Sequence, residues 1–369
     1  MRICFDPQIF SLQVYGGVSR YFLETAARLA ELPDTSVSVL AFAHVNGYLA
    51  GGPRPGVIGW RLPAFPEPAR RMLARVNQLL ARAWLSRNGA DIVHETYYSF
   101  IRTATTGLPT VLTVFDMIHE KFPDYAPRTK RIAGMKRAAI DRADHLLCIS
   151  ENTRRDLLDI YAIEPSRTSV VRPGFSLQPR GAAEAPRSVA DPYILYVGKR
   201  GGYKDFDTLL RAYAGSAALS RNFLLVCFGD SRLSAGELGL MSRLGIARHR
   251  VLHVTGDDRQ LAGCYRHAAL FVYPSRYEGF GMPPLEAMSL DCPVVCSNAA
   301  SLPEVVGEAA LMFDAGDAEA LRVAMESVLD SPALAAQLRQ KGRQRVTEFS
   351  WDACARQTRA IYASVLQQR

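Results

Sequence analysis

The feature that most restricts the fold is an alternation of short apolar runs with amphipathic stretches, which stops and then restarts. Residues 2–6 (RICFD), then VSVLAFA, DIVHE, TVLTVFD and HLLCIS, read as buried strands bounded by turn or helix signals. Between them lie helical stretches such as YFLETAARLAEL. From Pro173 the chain runs through PGFSLQPRGAAEAPRSVADP, rich in Pro, Gly, Ala and Ser and without apolar period, which reads as a linker. The alternation then resumes with YILYVG, FLLVCFG, HRVLHVTG, AALFVYPS, PVVCS and ALMFD. Strands alternating with helices imply parallel βαβ units and doubly wound sheets. The expectation is two Rossmann-like α/β domains, 1–172 and 191–350, joined by a linker at 173–190. A cleft between such halves is the default ligand site.

Composition narrows the class. A chain of 369 residues with 48% hydrophobic and 22% charged residues can bury a large core without disulfides or metals. The seven cysteines are odd in number; Cys4, Cys148 and Cys227 sit in strand-like runs, and Cys292 and Cys296 lack the spacing of a zinc site. The start, MRICFDPQIF, has no apolar h-region, and no run approaches the ~18 apolar residues of a membrane span. The expected location is cytoplasmic.

The segment from Tyr273, YPSRYEGFGMPPLEAMSLDCPVVCSNAASLPEVVG, is the most informative. It reads as a strand end, a loop, and a helix whose first turn holds Pro283 and Pro284. Gly279 and Gly281 leave the backbone bare beside that helix start, where amide groups and the helix dipole favour a diphosphate. Glu278 precedes the loop and Glu286 lies on the helix, placed to flank a ligand across the helix start. A carboxylate accepts hydrogen bonds bidentately, which suits the vicinal hydroxyls of ribose or a hexose.

The string EGFGMPPLEAM, followed by SLPEVVG, resembles the signature of the large retaining glycosyltransferase family 4, of the two-Rossmann GT-B fold with its domains facing a cleft. The resemblance implies that Glu286 binds the donor ribose and Glu278 the transferred sugar. Gly279, Phe280, Gly281 and Met282 would then lie over the phosphates and sugar. YILYVGKRGGYKDFDTLLRAY resembles the strand and loop that supply cations to the donor diphosphate, making Arg200 and Lys204 the candidates, with Lys199 a substitute for Arg200. YGGVSRYF resembles the N-terminal glycine loop and points to Gly16 and Gly17 as donor contacts. FSWDACARQTRAIYASVL resembles the closing helix, implying that 351–369 packs back on the first domain. One departure stands out. Many relatives place His directly before the Asp of the TVxD segment, whereas this chain has Phe115, then Asp116, with His119 three residues on. Either His119 takes over the polar contact or the site works without it.

The resemblance implies a nucleotide-sugar donor, a saccharide or lipid-linked acceptor, retention of anomeric configuration, and hexose transfer in surface polysaccharide or glycolipid synthesis. TVFDMIHEKFP resembles the corresponding segment of bacterial mannosyltransferases, which favours GDP-mannose. No cofactor is expected, and no metal. Asp205-Phe206-Asp207 formally matches the Asp-x-Asp pattern of metal-dependent transferases, but acidic residues opening a helix are explained by capping and the helix dipole. Paired carboxylates would also fit a glycoside hydrolase, yet the bare-backbone helix start and the cations favour a phosphate-bearing donor. A non-catalytic sugar-nucleotide-binding protein is the first alternative, and a basic nucleic-acid-binding protein the more distant one. A nucleic-acid partner is not expected, because no DNA- or RNA-reading motif is present, and no GxGxxG follows the first strand, as an NAD enzyme would need.

The net charge of +8 is uneven. Residues 1–172 hold 22 Lys/Arg against 16 Asp/Glu, and the remainder 22 against 20. Two helix-like stretches concentrate the surplus, PARRMLARVNQLLARAWLSR and PRTKRIAGMKRAAIDR. In the first, Arg70, Arg71, Arg75 and Arg82 interleave with Leu73, Val76, Leu79, Leu80 and Trp84. Such a pattern fits an anionic membrane surface, with the protein peripheral on the inner face of the cell membrane. It equally fits a solvated helix face.

Overall fold

The computed structural model describes residues 1–369 except 50–55, 64–65, 125, 176–186, 188, 230 and 369, with nothing said of the Glu67 side chain. The chain forms two compact units, Met1–Gly174 with Ser350–Arg369, and Phe175–Phe349. It passes from the first to the second at Gly174 and returns at Ser350. Most of the stretch expected as a linker, 173–190, lies outside the described residues.

Among the described residues unit 1 is built on seven strands: β1 (Arg2–Phe5), β2 (Ser36–His44), β3 (Val57–Arg61), β4 (Ile92–Glu95), β5 (Thr110–Val114), β6 (His145–Cys148) and β7 (Thr168–Val170). Their spatial order is β3-β2-β1-β4-β5-β6-β7, with every pairing parallel. Unit 2 holds β8 (Tyr193–Val197), β9 (Leu224–Phe228), β10 (Val251–Val254), β11 (Leu270–Tyr273), β12 (Val294–Ser297) and β13 (Leu311–Phe313), in the order β10-β9-β8-β11-β12-β13, again all parallel. Both are the doubly wound arrangement, in which strand order reverses beside the first strand.

The interior strands are apolar runs because helices cover both faces of a parallel sheet. Tyr193–Val197, Leu224–Phe228, Leu270–Tyr273 and Val294–Ser297 are buried at every position. All six strands expected in the second half are present. The first half holds two that the apolar pattern does not show, β3 and β7. Both are edge strands; β3 is half-buried or exposed throughout, so its sequence carries no core signal. All seven cysteines are free and buried.

The final helix, Trp351–Gln367, is capped by Ser350, whose hydroxyl accepts from the Ala353 amide, and it belongs to unit 1. It packs along the helix Gly17–Ala30: Cys354 meets the Thr25 hydroxyl at 3.9 Å, and Arg28 lies 3.6 Å from Asp352. Tyr362, fully buried, hydrogen-bonds through its hydroxyl to Nδ1 of His94 at the centre of the sheet.

Candidate active site

In unit 2 the order reverses between β8 and β11, and the loops leaving these neighbouring strands carry most of the expected site residues. The β8 loop delivers Lys204. Its ammonium donates to Oε1 of Glu278 at 2.7 Å and to the Tyr273 hydroxyl at 3.1 Å, and lies 5.3 Å from the ring centroids of both Tyr203 and Tyr273. The Lys204 and Glu278 side chains are only 15% and 10% exposed, so the pair interacts in a medium far less polarisable than water. Burial, followed by the Glu278 charge, pushes the Tyr273 phenol well above its usual pKa, so it remains a neutral hydrogen-bonding group.

The β11 loop is held in shape from outside. Ser301, from the SLPEVVG segment, donates to the carbonyls of both Glu278 and Phe280 at 2.8 Å. Ser297, at the end of β12, donates to the Ser275 carbonyl at 2.5 Å. Gly281 then turns the chain into the helix Met282–Ser289 with φ of 107°, and a Cβ there would lie 2.7 Å from a Leu302 methyl. Position 281 therefore requires glycine on two counts, backbone conformation and space. Glu286 projects from the second turn of that helix, half-exposed, and accepts the Tyr265 hydroxyl at 3.0 Å. Tyr265 is fully buried and its pKa is raised, first by burial and then by the Glu286 charge. It can only donate, which fixes one carboxylate oxygen of Glu286.

Arg200 sits differently from Lys204. Its guanidinium is buried, donating to Glu237 Oε1 at 2.8 Å and to the carbonyls of Ser231 and Arg232 at 2.5 and 2.7 Å, with the Phe206 ring 5.8 Å away. It pins the β8 loop to the segment after β9. Lys199 is exposed, and its side chain makes no hydrogen bond among the described residues. Asp205 occupies the N-cap position of the helix Phe206–Ala214 but makes no side-chain cap. Its carboxylate instead accepts from Thr208 and from Arg276, each at 2.8 Å, so the capping explanation is replaced by an ion pair. Among the described residues no cluster of three or more His, Cys, Asp or Glu could hold a metal ion.

The remaining site residues are in unit 1. Gly16 is the N-cap of Gly17–Ala30, and a Cβ on it would fall 2.5 Å from the Gln13 side chain, which itself accepts from the Ser19 amide. Gly17 is exposed with open space where a Cβ would be. Asp116 follows β5, and its Oδ1 accepts the Ile118 amide at 3.0 Å. His119 Nδ1 lies 3.9 Å from that oxygen and, though buried, makes no hydrogen bond among the described residues. Burial, then the nearby Lys136 charge, lowers the His119 pKa and favours the neutral ring. Phe115, where many relatives have His, packs edge-on against Tyr21 and Phe22 and is 9% exposed. The structure thus gathers Lys204, Glu278, Gly279–Gly281 and Glu286 in one unit, and Asp116 with His119 in the other.

Several supporting groups carry no sequence signal of this role. Tyr273 and Tyr265 read as core aromatics, and Ser301 as a loop serine. Asp6 reads as the end of a strand; it is fully buried at the reversal point of the first sheet, accepting from Thr96 Oγ1 at 2.6 Å, Gln8 Nε2 at 2.7 Å and Thr103 Oγ1 at 3.0 Å. An acid directly after a first β-strand is the one hint that could have marked it.

Two doubly wound parallel sheets in one chain are the architecture of GT-B glycosyltransferases. Solved structures share it along the whole chain: a sucrose-phosphate synthase from Thermosynechococcus elongatus (TM-score 0.76, 21% identity, 100% of this chain and 99% of that one) and WaaG, a glycosyltransferase of lipopolysaccharide biosynthesis (0.71, 18%, 98% and 99%). The chain belongs to glycosyltransferase family 4: residues 15–178 match Glycosyltransferase Family 4, and residues 182–345 match Glycosyl transferases group 1. Similar proteins include the O-antigen chain mannosyltransferase B of Escherichia coli, 28% identical over 94% of this chain and 95% of that protein. The MMP alpha-(1->4)-mannosyltransferase of Mycolicibacterium hassiacum is 29% identical over 82% and 76%. The alpha-maltose-1-phosphate synthase of Mycolicibacterium smegmatis is 29% identical over 99% and 100%.

Proposed function

We propose that this glycosyltransferase moves a hexose, with mannose from GDP-mannose as the favoured donor, to a saccharide or lipid-linked acceptor with retention of configuration. The observation that carries the donor reading is the 2.7 Å pair between Lys204 and Glu278, set at the reversal point beside the Gly281-capped helix that bears Glu286. A buried ammonium held by a carboxylate can exchange that partner for a donor phosphate, which frees Glu278 to accept hexose hydroxyls. Glu286, oriented by Tyr265, accepts the ribose hydroxyls. Names of similar proteins support mannose.

In this chemistry the bond from the anomeric carbon to the phosphate oxygen breaks, and its electron pair stays on the departing diphosphate. Lys204 and the amides at the start of Met282–Ser289 stabilise that charge. The acceptor hydroxyl oxygen bonds to the anomeric carbon on the face the diphosphate leaves, and its proton passes to a leaving phosphate oxygen. No step requires a metal. Arg200 acts as a positioning residue for the β8 loop, because its Nε and Nη2 are committed to Glu237 and to the carbonyls of Ser231 and Arg232, which leaves Nη1 alone for any phosphate contact. Lys199, next to it in sequence, is exposed and its side chain makes no hydrogen bond among the described residues.

The test is a panel of GDP-, UDP- and ADP-sugars with the purified protein, following nucleotide release and thermal shift. GDP-mannose should give the largest responses, and NMR of the product should show the donor's anomeric configuration. A preference for another nucleotide removes the mannose assignment; absence of nucleotide release across the panel removes catalysis.

A further inference from the structure

The helix Glu67–Asn88 is built inside out. It buries the amides of Asn77 and Gln78 and exposes much of its hydrocarbon. Asn77, fully buried, donates to the Ala43 carbonyl at 2.6 Å and to Ser11 Oγ at 2.8 Å. Gln78, 3% exposed, bonds the Ile101 carbonyl and the hydroxyls of Thr103 and Ser99. With Ala74, Ala81 and Leu85 these residues form the side that faces the sheet. The opposite side carries Met72 at 67% exposure, Val76 at 47%, Leu79 at 62% and Leu80 at 47%, with Ala83 also exposed. Met72, Val76, Leu79 and Ala83 recur at the three- and four-residue steps that line up along one helix face. Leu73 and Trp84, which the sequence pattern groups with them, are half-buried instead.

Charge frames this stripe. Arg75 and Arg82, two turns apart, flank it on one side and Arg87 lies on the other; all three are exposed and make no hydrogen bond or ion pair among the described residues. The helix sequence holds five arginines and a single acid, Glu67. Two exposed aromatics are tied to the same helix. Trp60, 66% exposed, pairs with Ala43, and Phe100, 61% exposed, lies between Ser99 and Ile101, both bonded to Gln78. The other basic stretch, Thr129–Arg142, is different: Lys136 is fully buried against Glu120, Arg142 clasps Glu95, and Arg137 pairs with Asp141.

We infer that the outer face of Glu67–Asn88 docks on an anionic lipid surface, with Met72, Val76, Leu79 and Leu80 entering the acyl boundary and Arg75, Arg82 and Arg87 at the headgroups. An apolar stripe edged by arginines without partners among the described residues is complementary to such an interface. A second copy of the chain would set arginine against arginine. No helix among the described residues is long and apolar enough to cross a membrane, so the inferred contact is one of lying on the surface. It goes beyond the donor assignment and stands without it.

The test is sedimentation of the full chain with vesicles of phosphatidylglycerol and phosphatidylcholine, against pure phosphatidylcholine, at low and high salt. Binding should require phosphatidylglycerol and weaken with salt. Arg75→Gln with Arg82→Gln should lower the partition about 25-fold, from roughly fivefold per arginine. Leu79→Ser with Leu80→Ser should reduce it by a similar factor or more. Both pairs are solvent-exposed, so unchanged thermal melts will show intact folding, and donor thermal shift on the same variants tests the nucleotide site separately. No sedimentation of the wild type, sedimentation indifferent to both variants, or a solution dimer dispersed by Leu79→Ser with Leu80→Ser would each overturn the inference.

Discussion

Replacing Lys204 by methionine separates what the Lys204–Glu278 pair does for the fold from what it does for the reaction. The substitution keeps most of the side-chain volume and leaves the Glu278 carboxylate without its cation. Removing one member of a buried pair costs roughly 3–5 kcal/mol, much of it the penalty on the abandoned charge. Because the two side chains keep 15% and 10% of their exposure, the lower end applies, about 3 kcal/mol. For a unit the size of Phe175–Phe349 that corresponds to a fall of roughly 6–12 °C in melting temperature. Adding Glu278→Gln removes the abandoned charge and should restore most of the loss. Turnover should behave differently, dropping about 100-fold or more in both the single and the double variant, since neither can neutralise a departing diphosphate. Differential scanning calorimetry and nucleotide-release kinetics on the same preparations read the two quantities. A double variant that melts as low as Lys204→Met would show that the pair does not set the stability of this loop, and wild-type turnover in Lys204→Met would end its assigned role.

Four further outcomes are expected. Glu286→Ala should weaken donor binding by calorimetric titration, and Tyr265→Phe should weaken it less, because that variant releases the carboxylate without removing it; equal affinities in all three proteins would refute the ribose assignment. Ser301→Ala leaves two buried carbonyls without their shared donor and should cost about 1–3 kcal/mol with a raised donor KM, whereas a purely local effect would move the melt alone. The His94 pKa is depressed by burial from 6.5 to about 3, so below pH 6.5 the unfolded chain binds a proton the folded chain refuses. Stability should therefore fall with acidification between pH 6.5 and about 3, by roughly 1.4 kcal/mol per pH unit for this group, and His94→Gln should flatten the slope measured by urea denaturation. Treatment with a chelator should leave nucleotide release unchanged, since Asp205 is committed to Thr208 and Arg276; loss of activity restored by a divalent ion would contradict the metal-free chemistry.

Much of this was legible in the chain because the responsible signals are local. Buried parallel strands must be nearly continuous apolar runs, so eleven of the thirteen strands among the described residues announce themselves, and only the edge strands β3 and β7 do not. The glycine at 281, the prolines after it and the glutamates on either side likewise follow from what one loop and one helix start can do. Partnership between distant positions is not written locally. Arg200 and Lys204 look equivalent four residues apart, yet one is locked to Glu237 and the other faces Glu278, because the chain between them turns through Gly202 at positive φ. The basic helix makes the same point. Its periodicity shows an amphipathic pattern, but which side meets the protein depended on Ser11, Ala43, Ser99 and Ile101 offering hydrogen bonds to Asn77 and Gln78. Bonding the NH2 groups of Asn77 and Gln78 in the interior turned the hydrocarbon face outward, an outcome that only contacts far apart in sequence could decide.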